Sequence, residues 1–281
     1  MAVAGFRFEV RAGRAQGGSV EKRLALIGFG EAGSTFAAAA GWECAGAVWD
    51  LLADRCTTSS AAAALAGAPL VLSLVTADQA LAAARDYARH LAPGAVWCDM
   101  NSVAPGTKRA AAEAVEAAGG HYVDVAVLAP VNPARLAVPL LLAGAAAGRA
   151  ETLLRGAGFS NTRVVGDEVG RASAIKMIRS VMVKGIEALT AEMMLAAGAA
   201  GVADEVLASL DASEEPQPWR ARAAYNIERM VTHGARRAAE MVESARTLRE
   251  LGVEPVMTEG TVQRQAEMAG RKELLMKGDA A

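Results

Sequence analysis

An apolar run that breaks into three spaced glycines constrains this chain more than any other feature. Leu24-Ala-Leu-Ile-Gly28-Phe29-Gly30-Glu31-Ala32-Gly33 reads as a buried strand entering a G-x-G-x-x-G turn, with the helix-forming stretch Ala32–Gly41 behind it. Each glycine has a physical task. Gly28 permits the tight turn, Gly30 lets the backbone approach a pyrophosphate, and Gly33 lets the helix pack closely on the strand. The helix start then offers N–H groups and a partial positive charge to phosphates. Asp50 closes the second apolar run, 17 residues after Gly33, near the spacing of about 20 for an acid that bonds an adenosine ribose. A carboxylate repels a 2′-phosphate, so NAD is the expected cofactor. NADP stays open because Arg55 lies close enough downstream to pair that phosphate.

The same alternation of short apolar runs and longer helix-forming stretches continues. Expected strands are Leu24–Gly28, Gly46–Asp50, Leu70–Leu74, Ala95–Asp99, Tyr122–Ala126, Val138–Ala143 and Thr162–Val165. Expected helices between them are Ala32–Gly41, Ser59–Ala66, Ala77–His90 and Gly106–Ala118. Strand and helix in turn predict βαβ units and a parallel sheet covered on both faces. After Gly166 the strands stop. A long helix is expected from Glu168 to about Ala200, then helices over Ala203–Leu210, Pro218–Leu251 and Val256–Met268, with Pro216 and Pro218 as a helix start. The fold class is therefore an α/β Rossmann domain with a mostly parallel sheet, then an all-α domain, joined by a long interdomain helix. The expected boundaries are a loose N-terminal extension over 1–21, the dinucleotide-binding domain over 22–166 and the helical substrate and dimerisation domain over 167–281.

Composition excludes several other classes. Hydrophobic residues make up 53% of the 281 and charged residues 21%, enough for packed cores and too apolar for a disordered chain. A net charge of −2 leaves no electrostatic footprint for nucleic acid or an anionic membrane. The longest apolar region, Val125 to Ala147, is broken by Pro130, Asn132, Pro133, Arg135 and Pro139, so it is not a membrane-spanning helix. Cys44, Cys56 and Cys98 are too scattered for a disulfide framework or a zinc site, which points to a reducing cytoplasm and no metal.

Three further stretches carry a resemblance: Asp99-Met-Asn101-Ser102-Val-Ala-Pro105, Asp124-Val-Ala-Val, and Gly170-Arg-Ala-Ser-Ala-Ile-Lys176-Met-Ile-Arg179-Ser180. Together with the glycine turn, and in this order, they resemble the β-hydroxyacid dehydrogenase family of 6-phosphogluconate and 3-hydroxyisobutyrate dehydrogenases. The wording is most similar to the branch with a C-terminal domain of unknown function, and it covers Leu24 to about Ala200. The resemblance implies hydride transfer between nicotinamide and a hydroxyl-bearing carbon of a small, hydroxy-acid-like substrate, and a homodimer formed through the helical domain. It implies that Lys176 is the general acid and base, that Asn101 and Ser102 lie beside the nicotinamide ribose, and that Val75 and Thr76 pass along the cofactor. Two departures stand out. Ser180 replaces the family's asparagine one turn after the lysine, and Leu128-Ala129-Pro130 replaces its Ser-Gly-Gly substrate cradle.

The residues themselves support and limit these roles. Lys176 is the only lysine between Lys108 and Lys184 and sits among apolar neighbours, where partial burial favours the neutral amine that acid–base work needs. Ser180, four residues on, shares its helix face and is expected to hold the substrate oxygen. Arg179 projects nearby, to pair a substrate carboxylate or an interface acid. Lys184 and Glu187 read as a solvated charge pair, and His90 and His121 as unremarkable ends of a helix and a strand. His233 and Arg237, on the helix Pro218–Leu251, are further candidates for substrate contact. Two rivals remain: an imine reductase on the same scaffold, against which the presence of Lys176 argues, and a nucleotide-binding sensor without turnover, which the altered cradle would suit.

Overall fold

A computed structural model describes residues 24–42, 46–213 and 217–275. The extension expected over 1–21, Lys22, Cys44 and Pro216 lie outside them. The chain groups into two compact units, Met1–Arg179 and Ser180–Ala281.

The first unit is built on a seven-stranded sheet: β1 (Leu24–Ile27), β2 (Gly46–Trp49), β3 (Leu70–Ser73), β4 (Val96–Asp99), β5 (His121–Val127), β6 (Leu140–Ala143) and β7 (Thr162–Gly166), in the order β2-β1-β3-β4-β5-β6-β7. Its helices are α1 (Glu31–Ala40), α2 (Ala61–Leu65), α3 (Ala80–Tyr87), α4 (Pro105–Ala117) and α5 (Ala147–Gly156). Successive side chains of a strand point to opposite faces, and here both faces are buried. Leu24 and Leu26 of β1 join one core with Phe36, Trp42 and Phe159; Ala25 and Ile27 join the other with Leu65, Ala84, Trp97 and Val115. Phe36 meets Phe159 edge to face at 5.0 Å, and Trp42 Nε1 donates to the Ala157 carbonyl at 3.1 Å.

The seven expected strands all form, but the sheet is not parallel throughout. β5 and β6 run antiparallel, with Val125 opposite Leu142. A parallel neighbour needs a crossover, usually a helix, and Pro130, Pro133 and Pro139 leave the link between these strands only a single turn of 3₁₀ helix at Arg135–Ala137. The helix α5 is an addition to the expected helices. It makes the parallel return from β6 to β7, and the face it buries is made of Ala147, Ala150 and Leu154, too little apolar bulk to mark a helical period.

The long helix α6 (Arg171–Ala200) begins three residues after Glu168, where the Asp124 carboxylate takes up the N–H groups of Gly170 and Ser173. The division between the two units falls inside α6, beyond Gly166, where the last strand ends. The second unit continues α6 and adds α7 (Ala203–Asp211), α8 (Trp219–Glu250) and α9 (Val256–Met268). There the Glu192 carboxylate accepts from Met257 N at 2.7 Å, from Thr258 N at 2.9 Å and from Thr258 Oγ1 at 2.6 Å, so α6 caps the start of α9. No helix among the described residues is long and apolar enough to cross a membrane.

Candidate active site

Strand order reverses between β1 and β3, and ligands of doubly wound sheets bind in the crevice that this reversal opens. Two adjoining cavities lie there, both in the first unit. The larger, about 520 Å³, is lined by Gly28, Gly30, Asp50, Arg55, Val75 and Thr76 among others. The second, about 420 Å³, is lined by Asn101, Ser102, Ala129, Pro130 and Lys176 among others, and shares Glu31, Ala32, Leu74 and Val75 with the first.

The glycine turn has the shape its sequence implied. Gly28 sits at φ +93°, where a Cβ would fall 2.6 Å from the Leu74 carbonyl oxygen. A Cβ on Gly33 would stand 2.7 Å from the Gly28 carbonyl oxygen, so only glycine lets α1 pack this closely. A Cβ on Gly30 would meet nothing within 4 Å, and no side chain caps α1 there. The first-turn N–H groups therefore remain for a ligand, and the open approach suits a pyrophosphate.

Asp50 is fixed by that turn. Its Oδ2 accepts from Phe29 N at 2.6 Å and its Oδ1 from Leu52 N at 2.9 Å. Phe29 thus contributes through its backbone. Each carboxylate oxygen keeps a second lone pair for a ribose hydroxyl. Arg55 ends a short 3₁₀ turn and lines the same cavity.

In the smaller cavity Lys176 Nζ donates to Ser102 Oγ at 2.6 Å. Neighbouring Asn101 is 5% exposed; its Nδ2 donates to Ser73 Oγ at 3.0 Å and its N–H to Asp99 Oδ1 at 2.9 Å. Its Oδ1 is buried without a hydrogen-bond partner among the described residues, an acceptor that suits a hydroxyl or amide of a bound ligand. Ala129 and Pro130 line this cavity, while Leu128 takes part through its carbonyl, which accepts from Arg179 Nη1 at 3.2 Å. Arg179 is therefore tied to the altered cradle by a hydrogen bond. Ser180, His233 and Arg237 belong to the second unit and line neither cavity; His233 is exposed, Ser180 and Arg237 half-buried.

Beneath the cavity lies a buried group that sequence reasoning passed over. Lys108 is fully buried on α4, donating to the Asp99 carbonyl at 2.6 Å and to Asp99 Oδ1 at 3.0 Å, with Asp124 Oδ1 at 3.4 Å. Tyr122 donates to Asp99 Oδ2 at 2.6 Å. Burial pushes the Tyr122 hydroxyl far above its usual range, and the adjacent Asp99 charge adds to this, so it stays a donor. Burial likewise raises the Cys98 thiol, which leaves it inert. A signal was present: Lys108 falls on the same stripe as Ala111, Ala112 and Val115, the spacing of a core-facing helix side.

Residues 23–155 match the family described as NAD binding domain of 6-phosphogluconate dehydrogenase, and residues 197–268 match a domain of unknown function, DUF1932. A conserved hypothetical protein of Sinorhizobium meliloti is 36% identical, with 88% of each chain covered and a TM-score of 0.58. A conserved protein of unknown function, described as structurally similar to 3-hydroxyacid dehydrogenases, is 29% identical over 88% of this chain and 96% of its own, with a TM-score of 0.56. An imine reductase of Myxococcus stipitatus, in complex with NADP+, is 18% identical over 87% of this chain and 93% of its own; its TM-score of 0.71 is a likeness of fold alone. With the glycine turn, the motif order and both domain matches agreeing, the chain belongs with the Sinorhizobium meliloti protein to one family, and it joins an NAD binding domain of the 6-phosphogluconate dehydrogenase type to a domain of unknown function.

Proposed function

We propose that the chain oxidises a small hydroxyl-bearing substrate, or reduces the matching carbonyl, in the cavity beside Ser102, with Lys176 as general acid and base. The single observation that carries this reading is the 2.6 Å contact between Lys176 Nζ and Ser102 Oγ, on residues that both line that cavity. When bound, the nicotinamide supplies the hydride chemistry. Gly30, the α1 N-terminus and Asp50 hold the dinucleotide, and Val75, Thr76, Asn101 and Ser102 flank it. In oxidation Lys176 takes the hydroxyl proton; in reduction it returns one to the carbonyl oxygen. Ser102 holds the amine in place, and Ser180, one turn on, assists at the substrate oxygen. Arg179 holds the cradle through Leu128. His233 and Arg237 of the helical unit are assigned to substrate contact on resemblance alone. We assign NAD as the preferred cofactor, from Asp50.

A second reading has its own support. Met100, Val127, Ala129, Pro130 and Val131 give the cavity an apolar side, which suits the hydrocarbon body of a cyclic imine better than a carboxylate. Nicotinamide absorbance separates the two: turnover of 3-hydroxyisobutyrate or related hydroxy acids supports the first, and turnover only of cyclic imines such as 1-pyrroline the second. Cofactor binding with neither turnover would leave a sensor.

We also propose a homodimer through the helical domain. On α6, Ile178, Val181, Met182, Ile186, Leu189 and Leu195 are all exposed, Val181 by 75%. A run of large apolar side chains on one helix marks an association surface. Sedimentation equilibrium reads it: a monomer at micromolar concentration, or a dimer untouched by Val181→Glu, would overturn it.

A further inference from the structure

Asp99 and Asp124 stand directly opposite each other on β4 and β5, two carboxylates in a core that excludes water. Alone they would repel strongly at such low dielectric. The Lys108 ammonium lies between them, at 3.0 Å from one and 3.4 Å from the other. Each carboxylate also holds a piece of the candidate site. Asp99 Oδ1 accepts from Asn101 N at 2.9 Å, which fixes the turn carrying Ser102. Asp124 Oδ2 accepts from Gly170 N at 3.1 Å, Ser173 N at 2.9 Å and Ser173 Oγ at 3.0 Å, which fixes the first turn of α6. Lys176 is three residues further along that helix, and its bond to Ser102 closes the circuit.

We infer that Lys108 is a positioning residue: it locks the Asn101–Ser102 turn to the first turn of α6 and so sets how Lys176 meets Ser102. The inference rests on the reading of Lys176 as the acid–base group. A purely stabilising role accounts poorly for the arrangement, since taking charges out of water costs about what their attraction returns, and apolar side chains of the same volume would hold two adjacent strands as well. An apolar filling could not receive the N–H groups of Asn101, Gly170 and Ser173, and those bonds give direction to both elements.

The test uses the full chain and its Lys108→Met variant, first by amide hydrogen exchange without ligand. The expected result is exchange at Asn101, Gly170 and Ser173 faster by about tenfold or more, with the β1 amides unchanged. Next come steady-state kinetics with NAD(H) or NADP(H), on the hydroxy acids and cyclic imines named above. Misplacement of the acid–base group should lower kcat by about ten- to a hundredfold, with KM for the cofactor unmoved and the pH limb of Lys176 displaced. A folded Lys108→Met protein that loosens only one of the two elements, or neither, overturns the inference. So does one that loosens both yet keeps kcat and the pH limb. Should Lys108→Met fail to fold, Ser173→Ala decides, because it leaves every buried charge paired: a fall in kcat of about threefold or more, with a displaced limb, supports the coupling, and wild-type behaviour sinks it. Lys176→Met is run alongside. If it keeps full turnover, the acid–base reading fails by itself, and the exchange rates still report whether Lys108 joins the two elements.

Discussion

Lys176 Nζ and Ser102 Oγ, 74 residues apart in the chain, meet at 2.6 Å. Among the described residues, the contact pairs the only cationic side chain lining the smaller cavity with a hydroxyl on the turn after β4. Positioned acid–base catalysis is typically worth about 10² to 10⁴ in rate, so Lys176→Met should lower kcat by that order with cofactor affinity little changed. Ser102→Ala should cost less, because it removes the holder and leaves the amine. Steady-state kinetics on the accepted substrate check both. A Lys176→Met enzyme at the unmutated rate would remove the hydroxyacid-type mechanism.

The three glycines of the turn should separate binding from folding. Gly28→Ala and Gly33→Ala drive a methyl into backbone oxygens at 2.6 and 2.7 Å, so both should lower the melting temperature. Gly30→Val projects into open space, so the fold should survive while the dinucleotide loses its approach. Calorimetry on the folded variant decides. Unchanged NAD(P) affinity in Gly30→Val would place the pyrophosphate elsewhere.

The places of the strands along the chain and the cofactor turn were legible because local chemistry dictates both. Apolar runs bounded by turn residues have few other uses, and Gly28 and Gly33 leave room for no side chain. What stayed hidden depended on tertiary context. The antiparallel β5–β6 pair follows from a proline-broken link, and α5 from a helix whose alanines blur its inner face. The buried ion group was half legible. Asp99 and Asp124 head two of the motif stretches, whereas Lys108 belongs to none. Its place on the stripe of Ala111 and Val115 was readable, but a lysine on an apolar face ordinarily snorkels to water, and only the facing carboxylates explain why this one does not.

Glu192 should make the helical unit sensitive to acid. Burial raises its pKa, but bonds from Thr258 Oγ1 and from the N–H groups of Met257 and Thr258 outweigh that and hold it below the usual glutamate range. A depressed folded-state pKa contributes stability above the unfolded value, about 4.3, which is lost as pH falls through the folded one. Unfolding midpoints in urea should therefore drop below about pH 4, and Glu192→Gln should flatten that part of the curve while lowering stability at pH 7. A Glu192→Gln protein with an unchanged acid limb would assign the loss to other carboxylates.

Asp50 should decide between the two dinucleotides. Its carboxylate is held by Phe29 N at 2.6 Å and Leu52 N at 2.9 Å, so it cannot swing aside without breaking two bonds, one of them to the glycine turn itself. A 2′-phosphate placed beside it would meet a fixed like charge, whereas ribose hydroxyls would find free lone pairs. Arg55 in the same cavity is the counterweight, since its guanidinium is the natural partner of a phosphate. With the carboxylate fixed and the arginine on a short exposed turn, NAD should bind more tightly than NADP. Asp50→Ala should weaken NAD and narrow or reverse the preference. Arg55→Ala should weaken NADP and leave NAD nearly untouched. Titration of both cofactors against the three proteins settles it: tighter NADP binding to the unmutated chain, abolished by Arg55→Ala, would make Arg55 the recognising residue and reduce Asp50 to a brace for the turn.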